Sequence, residues 1–117
     1  MTRDRPADSP IRDVRWVGKF AVIQAAGEID LNCSPRFQQE LLALLDRRPE
    51  RIVLDLADVS YMDSSGVASL VKLLSRVRRL GAQLHLVGLS DRVRSVFEIT
   101  RLDSVFDIFA TQEEAMA

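Results

Sequence analysis

Apolar positions along this chain come in blocks whose spacing alternates between strand-like and helix-like. Asp13–Val17 and Phe20–Ala26 read as two strands joined at Gly18-Lys19 by a tight hairpin. Ser34-Pro35 then predicts a helix start, with serine as N-cap and proline at the first helical position, where its missing N–H costs nothing. Phe37, Leu41, Leu42, Leu44 and Leu45 mark the apolar face of that helix, and Pro49 ends it. Arg51–Leu56 is a short apolar run rich in β-branched residues, which suits a buried strand. From about Ser65 to Leu80 the period returns to helical through Val67, Leu70, Val71, Leu74, Val77 and Leu80, with Gly81 just past the end.

Gln83–Val87 predicts another core strand, and Ser90 caps a helix carrying Val93, Val96, Phe97 and Ile99. Val105–Phe109 reads as a last short strand. Thr111-Gln112-Glu113-Glu114 has the capping-box pattern that opens a terminal helix. The predicted order is β-β-α-β-α-β-α-β-α. A hairpin followed by alternating units implies an α/β domain with a mixed, mostly parallel sheet and helices packed on it. Residues 1–11 hold two prolines and several charges and are expected to form a flexible tail, leaving 12–117 as the one domain.

Composition narrows the function classes. A net charge of -1 gives no overall electrostatic footprint for nucleic acid. Lys72, Arg76, Arg78 and Arg79 do cluster, as do Arg92, Arg94 and Arg101. These are the solvated faces of two helices or a docking surface for an acidic partner. No apolar run approaches the ~20 residues that span a bilayer, so no membrane insertion is expected. One cysteine, Cys33, and one histidine, His85, give no metal-site pattern, and the lone cysteine points to a reducing, cytoplasmic setting.

The chemistry concentrates in Ser60-Tyr61-Met62-Asp63-Ser64-Ser65-Gly66, between a strand and a helix. Free backbone N–H groups and the positive end of the helix dipole meet at such a turn. It suits a serine N-cap, here Ser64 or Ser65, and equally a phosphate. Gly66 would allow close backbone approach, while Tyr61 and Met62 read as packing residues. A Ser-His-Asp triad would have to use His85, which strand alternation places inside Gln83–Val87 and not above the serines, so an enzyme is not expected.

Three stretches carry a resemblance to the STAS-domain family, specifically its bacterial anti-sigma-factor antagonists. Gly27-Glu28-Ile29-Asp30 is similar to the family's G-E-[IL]-D. Val53–Leu56 with Val59–Gly66 is similar to the core strand and its D-S-[ST]-G signature. Leu86–Val93 and Phe97–Leu102 resemble the last core strand, loop and helix. One departure is Gly66-Val67-Ala68 where many members have Gly-Leu-Gly; alanine is small enough to keep the packing close.

The resemblance implies a partner-switching protein without cofactor. Unphosphorylated, it would bind an anti-sigma factor that is also a serine-protein kinase. Phosphorylation at Ser64 would release that partner, and a PP2C-type phosphatase would reverse the modification. The implied switch surface comprises Asp30, Asn32, Asp63, Ser65, Gly66 and Val67. The alternative is a STAS scaffold or regulatory subunit of another signalling, secretion or transport system that uses no sigma factor.

Overall fold

The structure is a computed structural model and describes residues 9–117. Five strands and four helices alternate in the predicted order: β1 Ile11–Val17, β2 Phe20–Ile29, α1 Ser34–Ala43, β3 Arg51–Met62, α2 Ser64–Arg79, β4 Gln83–Val87, α3 Asp91–Ile99, β5 Asp107–Phe109 and α4 Gln112–Met116. A single 3-10 turn, Leu44–Arg47, continues α1. The strands form one sheet in sequence order, with β1 antiparallel to β2 and all other neighbours parallel.

That order decides where the helices go. Each parallel connection steps to the next strand in the same direction, and right-handed crossovers then place α1, α2 and α3 on one face. Ile23, Ile52, Leu54 and Leu86 point toward that face. They pack with Phe37 and Leu41 of α1, Leu70, Leu73 and Val77 of α2, and Val93 and Phe97 of α3. Each such side chain contributes about 1.5–3 kcal/mol on burial. Among the described residues the opposite face is covered only by α4, whose Ala115 sits over Val22, Val53 and Val87 with Phe109 and Met116 at the margin. Burial on both faces explains why Ile52–Leu56 is apolar except for Asp55, whose carboxylate accepts the Ala57 N–H and the Gln112 amide.

Several expectations need correction. The sequence splits β3 at Leu56, but it runs on to Met62, pairing with β2 throughout. Register shifts beside Gly27, whose φ is +89°, let β2 follow it to Ile29. Ser34 is not the N-cap of α1. Cys33 holds that position without a side-chain bond, and the Asp30 carbonyl takes the Cys33 and Ser34 N–H groups. Val71, Leu80 and Ile99 fit the helical period but are exposed, Ile99 at 81%.

Of the expected tail, residues 1–8 lie outside the described residues. Ser9 and Pro10 are buried, the Pro10 carbonyl accepts the Ala26 N–H at 2.9 Å, and Ile11 already belongs to β1. Among the described residues no helix is long and apolar enough to cross a membrane.

Candidate functional site

The carboxyl ends of β2 and β3 lie side by side. Ile29 pairs with Met62, and the Asp63 N–H donates to the Ile29 carbonyl at 3.1 Å, so the turns beginning at Asp30 and Asp63 emerge together. This is the end of a parallel sheet at which open α/β folds place their binding sites.

Asp63, not either serine, caps α2. Its backbone is extended, and its Oδ1 accepts the Ser65 N–H at 2.9 Å, the Gly66 N–H at 3.3 Å and the Ser65 hydroxyl at 2.5 Å. The Ser65 hydroxyl foremost, helped by the N–H groups of Gly66, Ser65 and Leu31, holds the Asp63 carboxyl below its ordinary value against the opposing effect of burial. Ser65 is structural in a second way, since its carbonyl accepts the Ser69 hydroxyl at 3.1 Å.

Ser64 is left over from this network. It is exposed in the first turn of α2, and its hydroxyl has no hydrogen-bond partner among the described residues. The turn is therefore built by Asp63 and Ser65 while Ser64 Oγ stays open to another molecule. From the sequence, the helix N–H groups are all available to a phosphate. Two of them, from Ser65 and Gly66, are already taken by the Asp63 carboxylate. A group added to Ser64 projects outward beside a negative charge.

The remaining candidates divide between surface and core. Asp30 and Asn32 lie in the adjoining turn, where Asp30 Oδ1 accepts the Asn32 N–H at 3.0 Å; Asn32 is exposed and Asp30 half-buried. Gly66 and Val67 are buried, Val67 at 2% exposure, so they support the surface from below and the exposed neighbour is Ala68. Gly66 is held to glycine by space. A Cβ there would lie 2.6 Å from Met62 Cγ and 3.0 Å from Ile29 Cγ2. Met62 is buried, whereas Tyr61 is exposed under the Arg92 guanidinium at 5.9 Å from the ring centre.

Cys33 is buried rather than on the rim. Its thiol donates to the Glu28 carbonyl at 3.3 Å, and burial, seconded by the nearby Asp30 charge, pushes its pKa up. His85 belongs to the other face of the sheet, its Nδ1 2.8 Å from the Ala115 carbonyl oxygen and its ring against Phe109. It pairs with Val53, nine residues before Met62 in β3, which puts it on the order of 25 Å from Ser64.

Sequence reasoning missed Leu31 and Arg92. Leu31 is 71% exposed in the turn between Asp30 and Asn32. An apolar residue inside an otherwise polar turn was the available signal. Arg92 arrives from the first turn of α3, after the end of β4, and only the sheet order brings it to Tyr61.

Comparison with known proteins agrees with this fold. The STAS-domain family profile matches residues 12–115. The anti-sigma-B factor antagonist of Bacillus subtilis (strain 168) is 36% identical over 101 residues, covering 86% of this chain and 92% of that protein. An anti-sigma factor antagonist from Mycobacterium paratuberculosis superposes with a TM-score of 0.82 at 25% identity, covering 95% of this chain and 94% of the other. The anti-sigma factor antagonist SpoIIAA in its unphosphorylated form gives 0.76 at 25% identity, covering 89% and 91%. With its mixed five-stranded sheet, its D-S-S-G turn at the head of α2 and these relatives, the chain belongs to the STAS-domain family.

Proposed function

We propose that this protein is an anti-sigma-factor antagonist whose binding is switched by phosphorylation of Ser64. The observation that carries the reading is the division of labour at the head of α2. Asp63 caps the helix with the Ser65 hydroxyl hydrogen-bonded to it, and Ser64 presents an uncommitted, exposed hydroxyl beside Asp30 and Asn32. The relatives named as anti-sigma-factor antagonists support the role.

In the unmodified state an anti-sigma factor packs over the two turns, with Leu31 as an apolar anchor and Ser64 within the covered area. That partner is the serine-protein kinase which modifies Ser64, and a PP2C-type phosphatase restores the hydroxyl. Phosphoserine adds about -1.5 to -2 charges. With Asp63 occupying the nearest helix donors and Asp30 alongside, that charge has no cation of this turn to meet. A partner packed over it would have to desolvate an unpaired dianion. The cost is several kcal/mol, and every ~1.4 kcal/mol is tenfold in affinity.

The test compares Ser64→Ala and Ser64→Asp against the anti-sigma factor of the same host by calorimetry. Ser64→Ala should bind within threefold of the unmodified protein and Ser64→Asp at least a hundredfold more weakly, both with unchanged melting temperature. Equal affinities for the two variants would overturn the switch. Recovery of a transport or secretion complex with Ser64→Ala as bait, and no kinase, would move the protein to the scaffold role.

A further inference from the structure

The opposite end of α2 carries a second feature that the Ser64 reading does not use. An open groove of about 350 Å³ runs between the end of α1 with its 3-10 turn and the last turn of α2. Its apolar part is formed by Leu42, Leu45 and Leu80, and Leu80 is 42% exposed. Three guanidinium groups line it, from Arg48, Arg76 and Arg79, against one carboxylate, Asp46. None of the three arginine side chains has an ion-pair or hydrogen-bond partner among the described residues.

Complementing the helix dipole explains only part of this. Arg76 and Arg79 lie in the last turn of α2, where cations are favoured. Arg48 does not. It comes from the far wall, just past the 3-10 turn, on a backbone with φ of +51°. Nor does the dipole call for three leucines beneath the charges. Three unpaired cations over an apolar floor, on a molecule of net charge -1, form a local feature and not a generally basic surface.

We infer that this groove is a second docking site, one that takes an acidic peptide segment of a partner protein with an apolar side chain seated on the leucines. Arginine forks are suited to carboxylates, which they bind through paired N–H groups. The extent of the charge favours a peptide over a compact small molecule. Lys72, Arg76 and Arg79 are spaced i, i+4, i+7, so the basic stripe continues along the exposed face of α2 for about 10 Å. Small-molecule sites instead enclose most of their ligand.

The site is independent of the switch. Arg79 is fifteen residues along α2 from Ser64, about 22 Å. An acidic segment held in the groove leaves the head of α2 uncovered, so it stays bound whichever state Ser64 is in.

The experiment is an NMR titration of the ¹⁵N-labelled protein with the peptide Glu-Asp-Leu-Glu-Leu-Asp-Glu, repeated with serine in place of both leucines. The first peptide should shift amides in 42–48 and 72–81 and leave those of 28–34 and 60–66 in place. Arg76→Gln combined with Arg79→Gln should raise its Kd at least tenfold, and the serine peptide should bind at least fivefold more weakly. Ser64→Asp should leave its Kd unchanged. Equal binding of the two peptides would reduce the groove to a generic cationic surface and overturn the proposal. So would shifts spread over every basic face, or none at millimolar peptide. The wild-type shift map decides the question without the double variant, should that variant fold poorly. Failure here leaves the Ser64 switch untouched, and the Ser64 variants test that switch separately.

Discussion

Three consecutive residues at the head of α2 divide one task. Asp63 supplies the capping carboxylate, Ser65 orients it, and Ser64 leaves its hydroxyl exposed and outside the network. Gly66 sets how closely this turn approaches the strand ends beneath it. A methyl group there meets Met62 and Ile29 in the packed interior, and the Ile29 carbonyl oxygen at 3.3 Å closes off the backbone side. Overpacking of this kind costs about 1–3 kcal/mol. Gly66→Ala should therefore lower the urea midpoint with an unchanged m-value, and a midpoint equal to wild type would show that Met62 yields freely. Ser64→Ala removes no native contact and should leave that midpoint where it is, so the two substitutions separate support from signalling.

At the scale of elements, the junction of β3 and α2 shows what the sequence could and could not convey. The helical period from Val67 to Val77 and the position of the two serines at its head were legible. The continuation of β3 through Val59–Met62 was not, because Asp58 and Ser60 interrupt the apolar run on the exposed side while Val59 and Met62 stay buried. The identity of the cap was hidden by two serines directly after the aspartate, all three being good caps. The same ambiguity misled at α1, where Ser34 has the right neighbours but lies buried inside the helix.

The cap carries a pH signature. The folded-state pKa of Asp63 is depressed below its ordinary 3.8, so its stabilising effect is complete above that value and is lost as pH falls through the folded pKa. Asp63→Ala should cost about 1 kcal/mol at pH 7. That deficit should narrow as pH falls below 3.8 and the wild-type carboxyl is protonated too. Urea midpoints through the acid range measure it, and a deficit that stayed constant at every acid pH where the fold survives would mean the cap is not the source.

For the whole molecule, the two faces of the sheet are unequally defended. Three helices cover one face, and the five-residue α4 covers the other. It is held chiefly by polar ties: Arg51 to the carbonyl oxygens of Ala115 and Ala117 at 3.0 Å each, the Gln112 amide to Asp55 at 2.7 Å, and His85 to Ala115. Removing residues 112–117 should expose Val22, Val53 and Val87 to water and take away the ties of α4 to Asp55 and His85, lowering stability by roughly 2–4 kcal/mol. Urea denaturation with an apolar dye reads both effects; full stability without dye binding would show α4 to be dispensable. The overall order of elements was legible because each block keeps its own period. The groove between α1 and α2 was not, since Arg48 and Arg76 meet only after both helices dock.

The pairing of Ile29 with Met62 makes the proposed switch surface a long-range object. Asp30 and Ser64 are 34 residues apart in the chain and become neighbours only when β2 and β3 zip together. A nascent or unfolded polypeptide carries the serine without the surface. Any protein that must touch both turns at once thus inspects completed folding before it acts, and molecules still emerging from the ribosome stay silent in the circuit.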